Sequence, residues 1–184
     1  MRLRLRLKIA ELWLPASLKK RRLGDLLDVT ARAFGIAASA VPFRTSGEAR
    51  LALARLTREG ASGVASDAAA RAESMNRLRS GGAALGAKLR SDLGVRTRGD
   101  MMRAARLLYR AIGIDFRGTA EGDILISDCS FRSAYTPEIC GIVSALDEGV
   151  LSGLAGGGRL AFTARLTDGA PACRARFDFP EALP

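Results

Sequence analysis

The most reactive side chains in this sequence are three cysteines and an aspartate, all in its last third. Cys140 lies in the first turns of a predicted helix, where the helix dipole and free N–H groups favour a thiolate. Asp147 follows on the same helical stripe. Cys129 lies at the end of a predicted strand, and Cys173 alternates with arginine on another strand. We therefore expect Cys140 to have the lowest pKa of the three thiols, below the unperturbed value of about 8.5.

The sequence contains no histidine, and this excludes several mechanisms. Ser-His-Asp and Cys-His catalysis need an imidazole, and so does any metal site with a histidine ligand. A cysteine nucleophile would need a proton shuttle drawn from Asp128, Glu138, Asp147 or Tyr135. The glycine run 156–158 follows a helix instead of preceding one, so it does not predict a phosphate-binding loop.

Two other interpretations of the cysteines stay open. Free cysteines are often small, buried core residues without a chemical role. A tetrahedral zinc site of three thiolates and one carboxylate is the other alternative, although the chain has no close C-x2-C pair. We predict no metal ligand and no cofactor, and keep zinc as an alternative.

A predicted strand, helix and hairpin position these cysteines. Residues 124–127 form a strand that ends near Cys129. A helix then begins with Thr136 as its N-cap and Pro137 at its first position, because that N–H needs no partner. Gly153 and the glycine run 156–158 are predicted to end it. Residues 159–166 and 173–178 alternate as two strands, and Asp168-Gly169 predicts the turn between them.

Four arginines lie on the predicted hairpin strands, where period-two alternation places them on one face. Such a face either holds a carboxylate or an acidic partner, or it is simply solvated. The four are Arg159, Arg165, Arg174 and Arg176.

The first 110 residues are predicted to be mostly helical. Residues 2–7 alternate arginine with leucine, which fits an edge strand or the start of an amphipathic helix. Helix starts are predicted at the capping residues Ser17, Thr45, Ser66 and Thr97. Helix ends are predicted at the glycines Gly35, Gly60, Gly81-Gly82, Gly94 and Gly113.

The net charge of +10 is concentrated in this N-terminal part. The basic excess there makes contact with an anionic membrane surface an open alternative, whereas nucleic-acid binding is not favoured because no aromatics interleave with the basic residues.

Residues 1–22 do not resemble a secretory signal, because arginine alternates with leucine instead of preceding an apolar block. Three cysteines without paired spacing predict reduced thiols in a cytoplasm. The oligomeric state is not indicated.

The predicted fold class is α+β. We expect an antiparallel sheet of about four strands, packed with the 136–154 helix and an N-terminal group of helices. Residues 1–110 form the basic, mostly helical region, and residues 111–184 form the cysteine-containing α+β module. At 184 residues the two are expected to make one compact domain together.

The order of these cysteines and elements resembles a known family. A strand ending in Cys129, a helix carrying Cys140 and a hairpin with Gly169 and Cys173 are similar to the L-2-amino-thiazoline-4-carboxylic acid hydrolase-like family. More distantly they resemble the four-vinyl-reductase-type small-molecule-binding domain. Where the family often has proline after the first cysteine, this chain has Ser130.

Together, residues and resemblance give two groups of candidate site residues. The candidate catalytic residues are Cys140, Cys129 and Asp147. The candidate ligand-binding residues are Cys173, Tyr135 and Phe131.

Three functions follow as hypotheses. The resemblance implies a hydrolase that acts on a C–N bond of a small ring compound through a cysteine-centred site. It also implies a non-catalytic sensor or carrier that binds a small molecule. The basic N-terminus suggests an interaction protein for nucleic acid or an anionic membrane.

A Cys140→Ala variant that loses turnover but keeps ligand affinity would favour the first hypothesis over the second. Heparin retention that disappears on deleting residues 1–22 would favour the third.

Overall fold

The computed structural model describes residues 16–37 and 43–184. Five α-helices lie in this part of the chain: α1 (Ala16–Phe34), α2 (Ser46–Val64), α3 (Ala68–Leu93), α4 (Arg98–Ala111) and α5 (Pro137–Ala155). Its strands are β1 (Ile114–Gly118), β2 (Asp123–Cys129), β3 (Arg159–Ala164) and β4 (Cys173–Asp178). The predictions for residues 2–7 and for most of the basic segment 1–22 lie outside the described residues.

The four strands form one antiparallel sheet in the order β1-β2-β4-β3. Along β4 the residues alternate strictly between buried and exposed, with Cys173, Ala175 and Phe177 on the buried face. Helix α4 packs against β1, and α5 packs against β3. One apolar core therefore lies between the sheet and the helices, and the α+β prediction is confirmed.

Helix α5 is the central element of this core. The Thr136 hydroxyl accepts a hydrogen bond from the Ile139 N–H, and Pro137 lies in the first turn, as predicted. The helix ends at Ala155, where Gly156 adopts a left-handed conformation with φ of 80°. Gly153 does not end the helix, contrary to the prediction. It lies in the last turns and faces α3.

Glycines bring the backbones of α3 and α5 into close contact. A Cβ atom at Gly82 or Gly86 would overlap the backbone of α5, and one at Gly149 or Gly153 would overlap the backbone of α3. The prediction that Gly81-Gly82 breaks the helix is therefore wrong, because α3 runs unbroken to Leu93. These residues cost helix propensity, but they permit an approach that larger side chains would prevent.

The N-terminal helix boundaries agree only in part with the predictions. Thr45 and Thr97 are N-caps, as expected, and accept hydrogen bonds from the N–H groups three residues ahead. The third helix is capped by Asp67 instead of Ser66, since the Asp67 carboxylate accepts from two N–H groups of the first turn. Gly60 does not end α2, because it is buried inside the helix against the Phe34 ring.

The β3–β4 hairpin is confirmed, but its connection is longer than a two-residue turn. A short 3-10 turn (Leu166–Asp168) follows β3, and Gly169 closes it with φ of 86°. The register shifts between Phe162 and Ala164, which breaks the period-two alternation. Arg165 consequently leaves the exposed face on which the other three hairpin arginines lie, so the four do not form one cluster.

Candidate functional site

A cavity of about 90 Å³ lies at the meeting point of helices α1, α2, α4 and α5 with the end of β2. Most of its lining is apolar and comes from Leu26, Leu53, Leu108, Ile112, Ile114, Phe131, Val143, Leu146 and Val150. The polar side chains along it are Thr57, Tyr109, Cys129, Tyr135, Cys140, Ser144 and Asp147. Mostly apolar walls with a few convergent polar groups are typical of small-molecule sites.

Asp147 supplies a carboxyl group to this cavity. Its side chain accepts a 2.8 Å hydrogen bond from the Tyr109 hydroxyl, which reaches it from α4. Burial raises the pKa of Asp147 from its ordinary value of 3.8 to about 6, although the hydrogen bond from Tyr109 and the charge of Arg165 both lower it. The carboxyl group therefore changes its protonation state near pH 6.

Two of the three cysteines line the cavity. Burial raises the pKa of Cys129 to about 12, with the negative charge of Asp147 adding to the shift. Burial also raises the pKa of Cys140, and Asp147 again opposes ionisation while Arg165 favours it. The expected lowering of the Cys140 pKa is therefore wrong: desolvation outweighs the helix dipole at this position.

Cys173 lies on the buried face of β4 and does not line the cavity, although its charge would act on Cys129 and Cys140. Its sulfur accepts a hydrogen bond from the Leu166 N–H at 3.3 Å, which fastens the connection after β3 to the second hairpin strand. The structure thus gives this predicted ligand-binding residue a place in the core of the hairpin.

The predicted ligand-binding residues Tyr135 and Phe131 do line the cavity. Their rings stack with centroids 5.6 Å apart. The Tyr135 hydroxyl hydrogen-bonds the hydroxyl of Thr57, which also donates to the Leu53 carbonyl at 2.7 Å. A polar contact between α2 and the loop before α5 therefore forms part of the cavity wall.

Among the four candidate proton shuttles, Asp147 and Tyr135 line the cavity. Asp128 is exposed on β2 and borders a different surface groove. Glu138 is exposed at the start of α5, where it lies 3.7 Å from Arg71. Asp147 is the one carboxyl group among the described residues that line the cavity, and its pKa of about 6 makes it a stronger candidate than the Tyr135 phenol.

Arg165 does not line the cavity but acts on two residues that do, and the period-two alternation predicted it on the wrong face of the hairpin. Its guanidinium lies over the Phe162 ring, with Cζ 4.6 Å from the ring centroid. Its positive charge acts on both Asp147 and Cys140. Arg165 follows the register shift in β3 and directly precedes the 3-10 turn, and residue spacing predicts neither feature.

Tyr109 and Thr57 were also missed, although a weak indication existed for each. Tyr109 follows two leucines in the helix that Thr97 caps, and a buried tyrosine hydroxyl usually has a polar partner. Thr57 lies one helical turn after Leu53, on the side of α2 that the core covers, where a buried hydroxyl also needs a partner. Neither pattern identifies Asp147 or Tyr135 as that partner.

Within residues 16–37 and 43–184, no group of three or more Cys, Asp or Glu side chains is arranged to hold a metal ion. Cys129 and Cys140 line the cavity with Asp147, whereas the Cys173 sulfur accepts a hydrogen bond within the hairpin. These residues therefore offer no ligand set for the zinc alternative.

Comparison of the chain with protein-family models, with curated proteins and with solved structures finds no match. No helix in the described part of the chain is long and apolar enough to cross a membrane. Binding of nucleic acid or a membrane surface through the basic N-terminus stays a prediction, since residues 1–15 lie outside the described part.

Proposed function

We propose that the protein is a small-molecule-binding module, whose ligand occupies the cavity between α2, α4 and α5. The observation that carries this proposal is the pairing of apolar walls with one carboxyl group, Asp147, whose oxygen is oriented by Tyr109. This arrangement suits a largely apolar ligand with one hydrogen-bond donor directed at Asp147. The distant resemblance to the four-vinyl-reductase-type domain supports the same function.

The size of the cavity limits the ligand. Its volume of about 90 Å³ is smaller than the ~150 Å³ apolar cavity that accommodates benzene. The part of the ligand inside is therefore no larger than a small ring or a short chain, unless the walls move apart.

The state of the thiols favours binding over cysteine catalysis. A cysteine nucleophile acts as the thiolate. Because burial raises the pKa of both Cys129 and Cys140, they are protonated at neutral pH and present neutral, polarisable groups to the cavity.

Pyrrole and furan test the proposal by titration calorimetry or by NMR shifts of the full chain. The two rings have nearly the same shape, but only pyrrole has an N–H donor. We expect both to bind, with pyrrole tighter at pH 7.5.

An Asp147→Asn variant should lose most of this preference for pyrrole over furan, and Val143→Phe, which fills the cavity, should bind neither ring. Ser152→Ala, on the same helix but away from the cavity lining, is the control. Failure of the folded protein to bind either ring would refute the proposal.

A second candidate function is hydrolysis of a small cyclic amidine, supported by the pKa of about 6 at Asp147 and by the family resemblance. A general acid or base works best when its pKa lies near the working pH. Asp147 would be the group that exchanges a proton with the substrate, and Cys140 would supply the reacting thiol.

This second function is tested by incubating the protein with 2-aminothiazoline-4-carboxylate and detecting the ring-opened product by mass spectrometry. Turnover that is lost in both Asp147→Asn and Cys140→Ala would support the hydrolase, and no turnover in the wild type would exclude this substrate.

A further inference from the structure

A second, larger concavity on the surface shares one lining residue, Tyr135, with the cavity. This outer groove has a volume of about 660 Å³ and is lined by residues of α2 and of the segment that leads into α5. Tyr135 lines both spaces, and its hydroxyl is held by Thr57 at the boundary. A molecule that reaches past the Tyr135 ring would therefore contact the cavity and the outer groove together.

The outer groove carries two arginines. Arg55 and Arg58 are exposed and lie three residues apart on α2, so they project from neighbouring positions of the helix surface. Neither forms an ion pair within the described part of the chain. Glu59 lies beside them, which leaves a net positive charge along the groove. Two guanidinium groups without carboxylate partners offer several donors to one anion.

We infer that the outer groove is the anion-binding half of the ligand site. The ligand is an amphiphile: its apolar end enters the cavity past Tyr135, and its carboxylate or phosphate group lies against Arg55 and Arg58. This inference rests on the proposed binding function and extends it, because it specifies the charge and polarity of the whole ligand.

The charges of the two spaces fix the orientation of such a ligand. Asp147 carries the charge that lines the cavity and would repel an anion there once ionised. The outer groove places positive groups at its exposed side, where the anionic group keeps part of its hydration. An anionic end in the groove and an uncharged end in the cavity is thus the favourable arrangement.

Binding of pentanoate, pentyl phosphate and the neutral pentanamide to the full chain tests the inference. We expect at least one anion to bind about tenfold more tightly than pentanamide at low salt, because it gains charge-assisted hydrogen bonds. The double variant Arg55→Ala/Arg58→Ala should lose this preference. Lys88→Ala/Arg96→Ala removes the same charge from exposed positions away from the groove and should retain it.

Each outcome separates this inference from the proposed function. A preference for pentanoate identifies a carboxylate group, and a preference for pentyl phosphate alone identifies a phosphate. Equal affinity of the anions and pentanamide would overturn the anion site while leaving cavity binding intact. An equal loss of preference in both double variants would also overturn it, because only the overall charge would then matter. If pyrrole binds but none of the three chain-like probes does, the inference fails and the proposed function stands.

Discussion

The Tyr109 hydroxyl of α4 donates a 2.8 Å hydrogen bond to the carboxylate of Asp147 on α5. Each partner changes the ionisation of the other. Burial raises the pKa of Tyr109 well above its ordinary value, and the neighbouring Asp147 raises it further, so the phenol remains a donor. The hydrogen bond lowers the pKa of Asp147, but burial is the larger effect and keeps that pKa at about 6. The pair thus holds a titratable carboxyl group in a fixed position within the cavity.

Removing the Tyr109 hydroxyl should raise the pKa of Asp147. In Tyr109→Phe the carboxylate loses the hydrogen bond that favours its charged form, while burial is unchanged. Carbon-13 NMR titration of the Asp147 carboxyl group should show a midpoint above about 6. Tyr135→Phe, which removes the hydroxyl bonded to Thr57, is the matched control and should leave that midpoint nearly unchanged. A midpoint that falls in Tyr109→Phe would contradict the assignment.

The raised pKa of Asp147 should make the protein less stable as the pH rises from about 4 to about 6. The unfolded chain loses this proton near 3.8 and the folded protein near 6, so the folded state binds more protons within this window. The difference corresponds to a loss of the order of 3 kcal/mol, complete above about pH 6. With no histidine in the chain, no imidazole titrates in the same range.

Urea unfolding of wild type and of Asp147→Asn across this pH range measures the effect. The variant should show a flatter profile and should be the more stable protein at pH 7.5. Asp168→Asn, which changes an exposed carboxylate, should keep the wild-type slope. If the wild-type and Asp147→Asn profiles run parallel across the window, Asp147 does not have the raised pKa described here.

Local sequence patterns predicted the elements well because capping and alternation are local. Thr136-Pro137 begins α5, and Cys173, Ala175 and Phe177 form the buried side of β4, as their spacing indicates. The errors arose where a tertiary contact overrides a local preference. Gly82 reads as a helix breaker in isolation, but within α3 it permits contact with the α5 backbone.

The candidate site was predicted less completely, for a related reason. Cys129, Cys140, Asp147, Tyr135 and Phe131 all line one cavity. The pKa values of the four titratable residues among them, however, depend on burial, which the spacing of residues within a helix does not reveal. The Cys140 thiol lies near a helix start, as predicted, yet desolvation reverses the expected direction of its pKa shift.

Two buried threonines should respond in opposite ways to replacement by valine. Thr30 is fully buried on α1, and its hydroxyl has no hydrogen-bond partner among the described residues. Thr30→Val should therefore stabilise the protein by about 1 kcal/mol, because an unsatisfied buried hydroxyl is removed with little change of volume. Thr57→Val should destabilise it by about 1–3 kcal/mol, since Tyr135 loses its partner. Urea unfolding at pH 7 compares both with wild type, and the same sign for the two variants would contradict this difference.

The cysteines should react slowly in the folded protein. A pKa of about 12 instead of 9.0 reduces the thiolate fraction of Cys129 at pH 7 on the order of a thousandfold. Alkylation followed by mass spectrometry should show Cys140 ahead of Cys129, and both thiols should react much faster in urea. Pyrrole at a saturating concentration should slow Cys140 further if it occupies the cavity. Rapid labelling of Cys129 in the native state would show that its thiol is not desolvated.

Two glycines of α5 give the sharpest test of the contact with α3. Gly141 has open space where a Cβ would lie, whereas a Cβ at Gly149 would overlap the carbonyl oxygen of Arg79. Gly141→Ala should therefore stabilise the protein by about 0.5–1 kcal/mol through helix propensity. Gly149→Ala has the same propensity gain, but it must push the two helices apart and should cost about 2 kcal/mol or more overall. Thermal and urea unfolding measure both variants. Equal stabilisation by the two substitutions would show that α3 and α5 do not make backbone contact at Gly149.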